Sequence, residues 1–175
     1  MEGLTLVAAG AALVLSVAAA AFDHRTGRIP NALTFSGIAL GVGFGFCAGG
    51  AGGGLASLFG ALLAAIVPAF LNRIGAMGGG DVKLFAALGA ITGPRLGLEI
   101  ETAAFLCGAV QGLAVWARGG HLRHGILAAT SLVVPFAGKR IRRSTEVLAA
   151  SRTTLRFGPA IAVGTSIALA LAVLG

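Results

Sequence analysis

The sequence predicts an all-α, polytopic integral membrane protein of about six transmembrane helices. Three observations predict it. Only 11% of the residues are charged against 57% hydrophobic, with a mean hydropathy of +0.94, whereas soluble domains carry about 25% charged residues. The apolar residues fall in runs close to the roughly 20 residues that cross about 30 Å of hydrocarbon. The basic residues behind the net charge of +7 sit in short stretches between those runs, where they orient a chain and attract anionic lipid. That placement argues against nucleic acid as a partner. The 29 glycines suit closely packed helices, because small residues let backbones approach where lipid supplies no hydrophobic drive. The length suits one domain, residues 1–175, with no room for a sizeable soluble one.

The first apolar run, 4–22, ends in AAAAF, a small-residue pattern like a signal cleavage site. A signal peptide wants a basic n-region, however, and here only Glu2 precedes the run while Arg25 and Arg28 follow it. An uncleaved helix with its N-terminus outside is expected. The second run, 32–48, opens on Ile29-Pro30-Asn31, with proline near the first turn, where it fits a helix. The uncharged GGAGGG at 49–54 is expected outside, before a third run at 55–71. Arg73 and Lys83 return the chain to the cytoplasmic side.

The fourth run, 82–93, is short, rising about 18 Å at about 1.5 Å per residue. The glycine loop before it is therefore expected to dip into the bilayer and carry Asp81 below the cytoplasmic surface. Irregular backbone at that depth is tolerated only beside protein or water. A turn holding Pro94, Arg95, Glu99 and Glu101 is expected outside, followed by a fifth run at 98–116. The run 125–137 is flanked by basic residues, including KRIRR at 139–143, which suits a re-entrant or interfacial piece. The segment 118–157 is thus expected to be a basic cytoplasmic or interfacial stretch, and 159–174 the last crossing.

Charge is scarce, so its placement carries information. The chain has two aspartates, Asp23 after the first run and Asp81 before the fourth, both assigned to the cytoplasmic end. Two carboxylates able to meet at one depth are the minimum equipment of an aspartyl hydrolase. Like charges a few Å apart cannot both ionise, so such a pair holds one proton. The ionised member takes a proton from water and the other donates to the scissile carbonyl oxygen. The alternative for Asp23 is a turn-capping role, common for aspartate. Acids within a membrane are costly and usually mark function, which makes Asp81 the harder of the two to explain structurally. Gly78, Gly79 and Gly80 in front of it either form a tight turn or leave room for an extended peptide. A phosphate-binding loop would need a following Gly-Lys-Ser/Thr, which is missing. Arg25 and Arg28 are topology anchors first and substrate contacts second. Cys47 and Cys107 lie in apolar runs, outside any CxxC pair, and His121 and His124 form an isolated H-x-x-H without further ligands.

Taken together, D-x-R-x-x-x-I-P-N at 23–31 and G-G-G-D-V-K-L at 78–84 resemble the prepilin peptidases, or type IV leader peptidases. RFGPAIAVGT at 156–165 is similar to the family's P-F-G-P segment before its last helix. The resemblance implies that Asp23 and Asp81 are the catalytic pair; Gly78, Gly79, Gly80, Lys83, Arg25, Pro30 and Asn31, beside them in the two motifs, are expected to bind substrate or shape the site. It implies prepilins and prepilin-like pseudopilins as substrates, cut at the cytoplasmic face of a bacterial inner membrane, with no metal or cofactor. Larger members carry an N-terminal domain with paired cysteines and methylate the new N-terminus. This chain enters its first helix directly and has no CxxC, so it resembles the short, peptidase-only type serving Flp (tight-adherence) pili, and no methyltransferase activity is expected. Two rivals remain at this point. A small cation- or proton-coupled transporter would use Asp81 as an ion site near the bilayer midplane. A structural subunit of a secretion system would need neither aspartate.

Overall fold

A computed structural model describes residues 2–118 and 156–174; the run 125–137 and nearly all of the basic stretch lie outside the described residues. Among the described residues four helices are formed: α1 (Glu2–Thr26), α2 (Asn31–Arg73), α3 (Gly79–Arg118) and α4 (Gly158–Leu174). No strand occurs among the described residues. The first three are long and apolar enough to cross a membrane, and α4 is a shorter apolar helix. Residues 1–108 with 156–175 make one compact unit, and 109–155 a second, of which only the end of α3 is described.

The 43 residues of α2 would extend about 65 Å if straight, twice the hydrocarbon thickness. The helix is instead broken at Gly49 and Gly50, where Gly50 takes φ 57, ψ −143. Its second half then returns along the first, and Ser57 Oγ donates to the Gly41 carbonyl at 3.2 Å. The 40-residue α3 breaks likewise at Gly93, with φ 81, ψ 177. Both are left-handed backbone conformations that glycine adopts without steric cost.

The turn expected at 94–101 is not a turn. Helix resumes at once after Gly93, and Arg95 pairs with Glu99 at 3.1 Å along its exposed side. Glu101, two residues further and therefore on the opposite face, is only 3% exposed. Neither of its carboxylate oxygens has a hydrogen-bond partner among the described residues. Charge density marked this stretch as a loop, whereas helical phase separates its charges into an outer pair and one inner acid. The glycine loop before Asp81 is likewise wound into helix. The Asp81 and Val82 amides donate to the Gly78 carbonyl at 3.2 and 3.4 Å, which starts α3 at Gly79.

Inside the bundle the buried positions of α2 are small: Thr34, Gly37, Gly41, Gly54, Ser57, Gly60, Ala64 and Pro68. Their three- and four-residue spacing is one helix face per half. The large side chains point outward, with Leu55, Leu62 and Phe70 all more than 60% exposed. This inversion of the soluble pattern is what lipid-facing helices require. A Cβ on Gly41 would come within 2.6 Å of the Ala90–Ile91 peptide, and one on Gly60 within 3.0 Å of Gly93 and Pro94. Leu84, Phe85, Leu88, Ile100 and Ile161 fill the remaining core with full burial.

Gly60→Leu is expected to lower stability by more than the about 1–3 kcal/mol of ordinary overpacking, because the obstacle is backbone. Gly43→Leu, with open space around it, should leave thermal unfolding in detergent nearly unchanged. Glu101→Leu is expected to raise the unfolding temperature, since it removes a buried polar group whose missing partners cost about 1–3 kcal/mol.

Candidate active site

Asp23 sits near the end of α1, 8% exposed. The helix closes there, the Gly27 amide donating to the Asp23 carbonyl at 2.9 Å. Residues 27–30 then turn into α2. Pro30 caps it in extended conformation (φ −62, ψ 135), and its carbonyl accepts from the Leu33 amide at 3.1 Å. Asp81 stands in the first turn of α3, its carboxylate turned back toward the Gly78 backbone. Helix N-termini leave amide donors unpaired, so an acid in the first turn is at home there.

These two corners enclose a pocket of about 480 Å³. Asp23 and Gly27, Arg28, Ile29, Pro30 and Asn31 form one wall; Gly78, Gly79, Gly80 and Asp81 form the other. The two carboxylates are close enough for their charges to interact. Gly80 brings the walls together, since a Cβ there would lie 3.2 Å from Ile29 Cβ. Gly78 and Gly79 are exposed at the mouth. None of the three adopts a positive φ, so their contribution is space rather than an unusual turn.

Of the residues singled out in the sequence, Asp23, Asp81, Gly78, Gly79, Gly80, Pro30 and Asn31 all line this pocket. Lys83 stands just outside and donates from Nζ to Asn31 Oδ1 at 2.8 Å, tying α2 to α3. The same ammonium lies 5.4 Å from the centre of the Phe35 ring. Arg25 is exposed and off the pocket, and Arg28 lines it instead. Beyond the expected set, Gly158 at the start of α4 donates its amide to Asp23 Oδ2 at 2.9 Å in a buried contact. The RFGP stretch was the available signal, but nothing in its spacing pointed to Asp23.

Acids from two apolar helices that share one pocket are found in membrane hydrolases and in ion-coupled carriers alike. Comparison with protein families makes this specific. The model of the type IV leader peptidase family matches residues 10–113, more than half of the chain and inclusive of both aspartates, and the chain belongs to that family. No curated protein and no solved structure matches it.

The geometry separates the three glycines. A Cβ at position 78 would lie 3.0 Å from Asp81 Oδ2, whereas one at 79 meets only Asn72 Nδ2 at 3.8 Å. Gly78→Ala is therefore expected to lower peptidase turnover about tenfold or more, the equivalent of about 1.4 kcal/mol. Gly79→Ala should retain it, as measured by initial rates on equal amounts of folded protein.

Proposed function

We propose that the protein is an aspartyl endopeptidase that removes the leader from Flp-type prepilins and prepilin-like proteins, with Asp23 and Asp81 as its catalytic pair. The observation that carries this reading is the convergence of the chain's only two aspartates on one pocket from α1 and α3. An extended peptide entering past Gly78 and Gly79 would bring its carbonyl between the carboxylates. The pair holds one proton; the ionised carboxylate accepts a proton from water, and its protonated partner donates to the carbonyl oxygen. The hydrated carbon then collapses, the C–N bond breaks, and the new amine takes a proton. No metal or cofactor enters this sequence.

The proposed setting is the bacterial inner membrane, crossed six times by α1, the halves of α2 and α3 divided at their glycine breaks, and α4. Arg25, Arg28, Arg73 and Lys83 flank the helix ends nearest the pocket, which supports a cytoplasmic pocket and an outside N-terminus. The prepilin's own apolar helix would lie against the bundle and present the bond to be cut. The basic stretch 118–157 would contact anionic lipid. Asp81 in the first turn of α3 is poorly placed for a midplane ion site, which weighs against a carrier.

Cleavage of a Flp-type prepilin in membranes tests the reading. Asp23→Asn and Asp81→Asn preserve shape and remove the proton chemistry, so each is expected to abolish product while the protein remains folded and inserted. Normal cleavage by both variants would sink the mechanism and redirect attention to ion binding at Asp81.

A further inference from the structure

We infer that the start of α4 positions the site: the Gly158 amide clamps Asp23 Oδ2 and thereby reserves Oδ1 for the reacting water. This rests on the aspartyl-pair reading and adds to it a residue outside the stretch matched by the family model.

Helix geometry explains why this donor is available. The Phe157 carbonyl accepts from the Ile161 amide at 3.1 Å, the first helical bond of α4, so the Gly158 amide belongs to the unpaired first turn. Pro159 next to it has no amide hydrogen to offer. Gly158 therefore supplies a buried donor that must find an acceptor, and Asp23, 135 positions earlier, is that acceptor at 2.9 Å. A buried donor or acceptor left unpaired loses its hydration with nothing in exchange, which holds the pair together. With Oδ2 occupied as the acceptor of this bond, Oδ1 is the oxygen left to meet water.

Only glycine fits. A Cβ at position 158 would lie 2.8 Å from Asp23 Cβ, 2.9 Å from Oδ2 and 3.2 Å from Ala20 Cα. The donor is itself fixed from behind. Phe157 packs against Phe105 at 5.9 Å and Phe85 at 6.4 Å between ring centres. Phe85, fully buried, lies one helical turn beyond Asp81 on the same face of α3. The same rings thus set the level of Gly158, and through it Asp23, relative to the helix that carries Asp81.

The test compares Gly158→Ala with Gly164→Ala, whose new methyl would press α4 against Ala104, six positions or about 9 Å along the helix from Gly158. Because the chain has two aspartates, ¹³Cγ-aspartate labelling gives two carboxyl resonances, assigned with the asparagine variants. Per folded molecule, Gly158→Ala is expected to lose about 100-fold in kcat, as catalytic misplacements of about 1 Å do. KM should stay within about twofold, and the Asp23 resonance alone should move. Gly164→Ala should keep kcat and both resonances even where its thermal stability falls. Should Gly158→Ala not fold, glycolic acid at position 158 replaces the amide N–H with an ester oxygen and adds no atoms; the same loss of kcat is expected. Normal kcat and an unmoved Asp23 resonance in either chain would overturn the clamp. Failure of the unmodified protein to cleave would overturn the peptidase reading instead, while the resonances, which need no substrate, would still report on the clamp.

Discussion

Helix backbones in this protein touch at glycine, and the position of everything else follows from those contacts. Lipid gives no hydrophobic reason for helices to associate, so packing must supply the attraction, and packing improves as backbones approach. At Gly41 the opposing surface is the Ala90–Ile91 peptide, and at Gly164 it is the backbone of Ala104. Neither crossing has space for a methyl group. With α2 and α3 held this closely, the residues before α2 and those before α3 face each other across a gap that Ile29 and Gly80 nearly close. The pocket is what remains of that gap where the side chains are absent.

The same device operates at finer scale on the two carboxylates. Each lies beside a glycine at the beginning of a helix: Asp81 beside Gly78, the residue before α3, and Asp23 beside Gly158, the first residue of α4. A helix start offers unpaired amides and a favourable dipole, and glycine lets an acid reach them. The ring stack between Phe85 and Phe105, 5.7 Å between centres, completed by Phe157, keeps those starts at one level. Under the proposed reading, rigid backbone support of this kind suits a pair whose chemistry is sensitive to displacements of about 1 Å.

Much of this was legible in the sequence because membrane insertion leaves so few charges to interpret. With only two aspartates, both next to apolar runs and both on the basic side, their meeting followed from topology. The helix starts and the inner face of α3 were not legible. Three glycines look like a loop, yet Gly78 accepts the first helical bonds of α3 and the helix winds through the other two. Local charge density makes Glu101 look like a loop residue, whereas helical phase turns it inward. The choice between Arg25 and Arg28 turned on where α1 ends: the helix stops at Thr26, and the turn at Gly27 brings the later arginine to the pocket. Gly158 escaped because a contact spanning 135 positions leaves no periodic trace.

The makeup of the pocket bears on what fits within it. A volume of about 480 Å³ lies in the range of about 300–1,000 Å³ usual for ligand sites, but the usual apolar lining is largely replaced by backbone. Gly27, Gly78, Gly79 and Gly80 present peptide groups with no side chain over them. An ion site would instead gather oxygens at bonding distance around one point, whereas among the described residues two carboxylates line this pocket, one of them already bonded to Gly158. Under the proposed reading, the missing side chains at these glycines leave room for a substrate main chain to come close. Under the proposed reading, selectivity would then come less from the pocket than from how a substrate helix settles against the bundle and which of its bonds that leaves at the level of Asp23 and Asp81.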